Sequence, residues 1–355
     1  MLSFIGASTM IICGIIHVEL LPANSPKVIG LLVAGFATLI FFIIWETSAP
    51  LRLSLTPPKL FRVNKGRRLT VPFICSFIVT MFYYGVNIIW GTMVAVYFDD
   101  PTAPRWKNLM LATVQGFGTG AGCAALVILG NRLGHWRLQM IVPFALMTMF
   151  GGLFAYVTPE RKAAGVAVAF FTSFFFGFVE YLTTTFIQFG ADQIDLGIVG
   201  GLGGAGRGGG GCIASSVFST ILTTVQTQWA NTHVPAAAVA AGASANTARA
   251  ILAAMPGGAA AVQKVPGVTL AIAEAAGAAY QQSYVEGVKY VAADPDGASY
   301  TLLTSSRKNV AYASVAFGGF AFLCCFFLED ISPRMNSRIE VFLENDVQAE
   351  KNVTH

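Results

Sequence analysis

Long apolar runs alternate with short polar breaks along the whole chain. The runs cover 2–21, 28–45, 71–98, 109–129, 139–157, 163–189, 196–225 and 310–328. A helix needs roughly 20 mostly apolar residues to cross a bilayer. Within lipid the backbone must satisfy its own hydrogen bonds, which a helix does. The pattern therefore predicts an all-α membrane protein with about eight transmembrane helices. The stretch 226–309 breaks it. Val234-Pro235-Ala236-Ala237-Ala238 and Val265-Pro266-Gly267-Val268-Thr269 are alanine-rich runs between Pro and Gly, which predict short surface helices. Asp294-Pro295-Asp296-Gly297 is a turn signal.

Composition agrees with a bilayer environment. The 355 residues are 55% hydrophobic and 11% charged, against about 25% charged in soluble domains. Cys13, Cys75, Cys123, Cys212, Cys324 and Cys325 all fall inside apolar runs, with no C-x-x-C pair, which speaks against a disulfide framework or a metal site. The net charge of +4 does not imply a nucleic-acid partner, because the basic residues sit between spans. Arg52, Lys59, Arg62, Lys65, Arg67 and Arg68 lie in 47–70, Arg132 and Arg137 in 130–138, and Arg334, Arg338 and Lys351 in the tail. With eight spans these fall on one side. Basic short loops stay cytoplasmic, so both termini are expected inside and 226–309 outside.

The run Gly197–Gly211 holds ten glycines and Arg207. It contains G-x-G-x-x-G at 201–206, but a dinucleotide fingerprint needs a preceding strand, and here a membrane span precedes it. Close helix packing explains the run better, through Gly200, Gly204 and Gly208 on one face and Gly203, Arg207 and Gly211 on the next.

Polar groups inside a bilayer are costly and tend to face a partner or a cavity. Thr80, Tyr84 and Asn87 share one face of the third span, flanked by Tyr83 and Trp90. Gln115 sits among glycines in the fourth. Tyr181, Thr184 and Gln188 form a face of the sixth. Aromatics with a few amides suit a bulky, mostly apolar organic substrate; bonding between helices is the competing role. Glu180 and Arg207 each lie roughly 14–17 Å from the turn 191–195, at 1.5 Å per residue. They are expected to pair, as a proton-coupling site or as a static structural pair. No cluster of His, Asp or Cys has catalytic or metal spacing, which disfavours a membrane-embedded enzyme and implies no cofactor.

Several stretches resemble one known family. Leu196-Gly197-x-x-x-Gly201-Leu202-x-Gly204-x-x-Arg207-x-x-Gly210-Gly211, Phe82-Tyr83-Tyr84-Gly85-x-Asn87, Thr158-Pro159-Glu160-Arg161-Lys162 and Ile339-Glu340-Val341-Phe342-Leu343 are similar to fungal fourteen-helix major facilitator transporters of the trichothecene-efflux-pump type. Gly130-Asn131-Arg132-Leu133-Gly134-His135-Trp136-Arg137 resembles that superfamily's cytoplasmic loop motif, with Asn131 where an acid is usual.

The resemblance implies a major facilitator fold lacking its N-terminal six-helix domain. On it, 1–46 holds two extra central helices, 47–70 a cytoplasmic basic loop, and 71–225 the first five helices of the C-terminal domain. An extracellular loop (226–309), the last span (310–328) and a cytoplasmic tail (329–355) follow. It implies proton-coupled efflux of a toxin or other small organic molecule across the plasma membrane. The alternatives are a siderophore or metabolite carrier, or a transport-incompetent fragment needing a separate N-terminal half or a second copy. Residues 292–309 read as an insertion, from a genuine loop or a retained intron. An internal echo fits an inverted repeat. Phe73-x-x-Ser76-Phe77 with Tyr84 recurs as Phe170-x-x-Ser173-Phe174 with Tyr181.

The topology is tested by single-cysteine labelling with an impermeant reagent on intact cells, in a cysteine-free background. Position 245 should label and position 64 should not; the reverse pattern would invert the assignment.

Overall fold

The computed structural model describes residues 2–20, 25–48, 56–96, 98, 104–157, 161–257, 259–292 and 313–335. The expected insertion 292–309, save its first residue, and the tail motif from Ile339 lie outside them, as do Thr158-Pro159-Glu160. The described residues form helices and turns: α1 (Leu2–Leu20), α2 (Pro26–Ser48), α3 (Pro58–Arg62), α4 (Thr70–Val96), α5 (Arg105–Leu133), α6 (Trp136–Gly152), α7 (Lys162–Phe189), α8 (Leu196–Ala240), α9 (Ala245–Ala254), α10 (Ala259–Val262), α11 (Leu270–Ala292) and α12 (Ala313–Cys325). This is an all-α fold of membrane type.

Among the described residues, five helices are long and apolar enough to cross a membrane: Pro26–Ser48, Thr70–Ala95, Leu109–Leu133, Lys162–Phe189 and Leu196–Ala240. The other three predicted spans are shorter as described. The apolar part of α1 is Leu2–His17. α6 has 17 residues, but its path continues through the 3-10 turn Leu153–Tyr156. At 1.5 and 2.0 Å per residue the two together reach about 34 Å. α12 has 13 residues, and the start of its predicted span, 310–312, is not described.

The main core is formed by α4, α6, α7 and α12, with α5, α8 and the end of α11 packed on it. Phe82, Trp90, Met93, Met140, Phe144, Met147, Phe154 and Leu182 are buried in it. Two helix crossings set its geometry. A Cβ on Gly118 of α5 would lie 2.6 Å from the Phe170 carbonyl oxygen of α7, and one on Gly122 would overlap the Phe174 carbonyl. From the other side, a Cβ on Gly177 of α7 would overlap the Thr119 backbone. At the second crossing a Cβ on Gly206 of α8 would lie 2.7 Å from the Phe73 ring of α4, and one on Gly210 would overlap the Phe77 carbonyl. Thus a Gly-x-x-x-Gly pair sits over each copy of the Phe-x-x-Ser-Phe echo. The repeated sequence corresponds to a repeated packing.

Of the two expected glycine faces, only the one with Gly203, Arg207 and Gly211 is packed. Gly200, Gly204 and Gly208 have nothing within 4 Å of a Cβ and are exposed, whereas Gly203, Gly206, Gly210 and Gly211 make the contacts. The helical period holds, but glycines surround this helix, so the pattern alone does not select its packed side. α1 and α2 pair by the same device: a Cβ on Gly35 would lie 2.7 Å from Ile11, and one on Gly14 2.8 Å from Leu32.

The boundary expected after residue 225 is not a helix end. α8 runs 45 residues, or about 68 Å, roughly twice the thickness of a bilayer's hydrocarbon core. Alanine, the best helix former, carries it onward. It stops at Ala241, where Gly242 has φ +99°. There Gly242 N–H donates to Val239 O at 2.9 Å and Ala243 N–H to Ala238 O at 3.0 Å, the two bonds of a Schellman cap. Ser244 then caps α9, its hydroxyl accepting from Thr247 N–H at 3.1 Å. The far part of α8 packs with α9, α10 and α11 into a second core of Ala230, Val234, Ala238, Ala248, Ile251, Val262 and Ile272. The stretch 226–292 is therefore a small helical cap rather than loose surface helices.

Gly122→Val should destabilise the protein by about 1–3 kcal/mol, the usual range for overpacking. Gly204→Ala should be neutral or slightly stabilising. Thermal unfolding in detergent checks both; equal effects would show that the crossing at Gly122 is not close.

Candidate functional site: a buried ion pair beneath an aromatic face

Three helices meet at Glu180. It lies on the buried side of α7, 3% exposed, between α4 and α8. The close crossing of α8 on α4 carries Arg207, one residue after Gly206, to that carboxylate, and Arg207 Nε forms an ion pair with Glu180 Oε1. The arginine side chain remains 41% exposed. Thr80 of α4 stands beside the same carboxylate. Its hydroxyl proton, however, goes to Ser76 O at 2.9 Å, so the carboxylate oxygens gain no hydrogen bond from it. The arrangement is a buried acid held by one half-exposed cation, with the Thr80 hydroxyl beside it.

Next to the pair, Tyr83 stacks on Phe176 with ring centroids 4.1 Å apart and meets Tyr84 edge-on at 5.6 Å. The Asn87 side chain stands beside the Tyr83 hydroxyl. Tyr84 lies in a notch on α8, where a Cβ on Gly211 would come within 2.6 Å of its ring. Tyr84, Asn87, Tyr181 and Gln188 are exposed, and Tyr83 and Thr184 are half-buried. The Thr184 hydroxyl is spent on its own helix, donating to Glu180 O at 3.0 Å. This face is aromatic with scattered amides and hydroxyls.

Two expected members do not join it. Trp90 is 1% exposed in the main core, its indole N–H donating to Leu111 O at 3.0 Å and its ring against Phe98 and Phe154. It ties α4 to α5 instead of lining a face, because it points one helical step away from Asn87. Gln115 is buried, with its side-chain nitrogen unpartnered.

The loop motif forms a second polar centre, at the end of the bundle that carries α3. Gly134 has φ +56°, and His135 follows at +49°. The buried Gln139, absent from the expected set, donates to Gly130 O at 2.7 Å and to Gly134 O at 2.6 Å. Asn131 and Arg132 are exposed. Arg137 reaches across to the end of α12 and donates from Nη2 to Phe326 O. Arg67 donates to Phe327 O at 3.0 Å, and Asn64 Nδ2 to Glu329 at 2.7 Å. Cations at helix C-terminal carbonyls are favourable. Lys59 pairs with Asp195 at 3.4 Å, so the basic loop also holds the turn between α7 and α8. Arg67 and Asn64 gave no motif signal; only the density of basic residues in 59–68 pointed there.

A buried ion pair and closely packed glycine-bearing helices belong here to a helical membrane protein. The chain belongs to the fungal trichothecene efflux pump family, whose model matches residues 2–354. It is 30% identical over 335 residues to the MFS-type transporter prx5 of Penicillium rubens, covering 94% of this chain and 58% of that protein. It is 25% identical over 337 residues to the trichothecene efflux pump TRI12 of Fusarium sporotrichioides, covering 94% of this chain and 52% of that protein. The chain thus spans little more than half the length of these curated relatives.

A double-mutant cycle tests the pair. Arg207→Gln should lower thermal stability more than Glu180→Gln, because it leaves a buried charge unpaired. The double variant should be milder than the sum, with a coupling of about 0.5–3 kcal/mol. Strict additivity would show that the two side chains do not interact.

Proposed function

We propose that this chain forms the substrate-facing C-terminal bundle of a proton-coupled exporter of small, mostly apolar organic molecules in the plasma membrane. The observation that carries this reading is the buried Glu180–Arg207 pair, with Tyr84 and Asn87 exposed on α4 and Tyr181 and Gln188 exposed on α7. In this reading protonation of Glu180 releases Arg207, and the freed guanidinium changes the charge presented to the face. Substrate and proton then compete through one residue. The efflux function in the names of family relatives supports the direction of transport. The basic end of the bundle, with Arg67 and Arg137, is cytoplasmic, and the helical cap on α8 is external.

Alternating access in such folds rocks one bundle against another around a midplane site. A single bundle leaves Arg207 and Asn87 facing lipid, where a central arginine costs a few kcal/mol. The reading is tested in proteoliposomes with an imposed proton gradient and a labelled trichothecene. The chain alone should give no gradient-driven flux. Flux should appear when it is fused to the first half of the Penicillium rubens relative. In that fusion Glu180→Gln should abolish dependence on the gradient. Robust flux from the chain alone would replace the two-half reading with a homodimer. Gradient-driven flux that survives Glu180→Gln would remove the residue from proton coupling.

A further inference from the structure

Cys75 and Cys325 take no part in the face or the ion pair, yet they lie together. Cys75 is on α4, one turn from its start, and Cys325 is the last residue of α12. Their sulfurs are 3.9 Å apart, and both residues are 0% exposed. Both are free thiols. They join helices 250 residues apart in sequence. The neighbouring Cys324 is only partly buried.

The geometry points to Cys75 and Cys325 as an oxidisable dithiol whose disulfide joins α4 to the end of α12. The oxidant is a small uncharged hydroperoxide, which can enter an apolar layer. One thiol attacks the peroxide oxygen: the O–O bond breaks, an alcohol leaves, and the sulfur becomes a sulfenic acid. The second thiol attacks that sulfur, an S–S bond forms, and water leaves with the hydroxyl. Two thiols are oxidised by two electrons and one hydroperoxide is reduced. Closure needs the sulfurs to move from 3.9 Å to about 2.05 Å, within reach of side-chain rotation at a helix end.

Apolar burial keeps thiols protonated and slow to react, so access controls the site. Access runs through the last turn of α12. Beyond Cys325 the chain turns, with Phe326 and Phe327 exposed and their carbonyls held by Arg137 and Arg67. While those arginines hold, Cys325 stays inside. When they let go, the turn can open and the thiol meets the oxidant. The disulfide then does covalently what the two arginines do by hydrogen bonding.

The test treats the purified chain in detergent with tert-butyl hydroperoxide, counts thiols after denaturation and maps the bond by peptide mass spectrometry. Two of the six thiols should be lost, in a Cys75–Cys325 bond. Cys324→Ser should form the same bond; Cys75→Ser and Cys325→Ser should not. Arg137→Gln should form it several-fold faster. A bond mapped to any other pair would overturn the proposal. So would survival of all thiols at a dose that fully oxidises free glutathione. Mapping on the unaltered chain decides the site even if a variant fails to fold, and an unchanged rate in a folded Arg137→Gln would overturn control by the arginines.

Discussion

The rest of the structure depends on two places where helix backbones come nearly into contact. At Gly122 of α5 against Phe174 of α7, and at Gly210 of α8 against Phe77 of α4, there is no room for a side chain. In lipid the hydrophobic effect does not draw helices together, so association rests on close van der Waals packing and on polar contacts. Glycine supplies the closeness. It also weakens each helix, by up to about 1 kcal/mol per residue relative to alanine. The cost is tolerable here because the bilayer gives these backbones no alternative partner for their hydrogen bonds. The crossing of α8 on α4 is what brings Arg207 to Glu180: one residue earlier in the helix, Gly206 touches Phe73.

Much of this was legible in the sequence. The apolar runs mark the helices because length and hydropathy are local properties. Glu180 and Arg207 stand at matching depth on either side of a short turn, so rise per residue alone sets them level, and the structure puts them in contact. What stayed hidden depends on azimuth and on distant partners. Every face of α8 offers glycine, so the choice of Gly206 and Gly210 over Gly200 and Gly204 rests on where Phe73 and Phe77 lie. Trp90 shares a helix with Asn87 but points to Leu111, an acceptor that only the fold supplies. Gln139, Arg67 and Asn64 bond to backbone or tail atoms with no sequence signature of their own. The length of α8 is not legible from hydropathy, which falls after 225 while helix propensity does not.

The two ends of the bundle are built differently. At the basic end, short turns are tied by charge and hydrogen bond: Lys59 to Asp195, Arg67 and Arg137 to the end of α12. Such contacts can break and re-form as their neighbours move. At the other end, α8 continues rigidly into a cap with its own alanine-rich core, and α11 returns to the main core through Val285, with Gly287 against Leu222.

The internal repeat separates packing from chemistry. In the register that lays Phe73 and Phe77 over Phe170 and Phe174, Glu180 of α7 falls opposite Tyr83 of α4. In the register that lays Gly206 and Gly210 over Gly118 and Gly122, Arg207 of α8 falls opposite Thr119 of α5. Both crossings therefore pack by the same glycines and phenylalanines, and each contributes one member of the ion pair. The equivalent positions carry no charge: Tyr83 stacks on Phe176, and the Thr119 hydroxyl is buried without a hydrogen-bond partner. An ion pair is thus not what this packing requires. A buried charge that the fold can do without is costly to keep, and that asymmetry is the physical reason to attach the proposed coupling to Glu180 and Arg207 rather than to the polar residues that merely join helices.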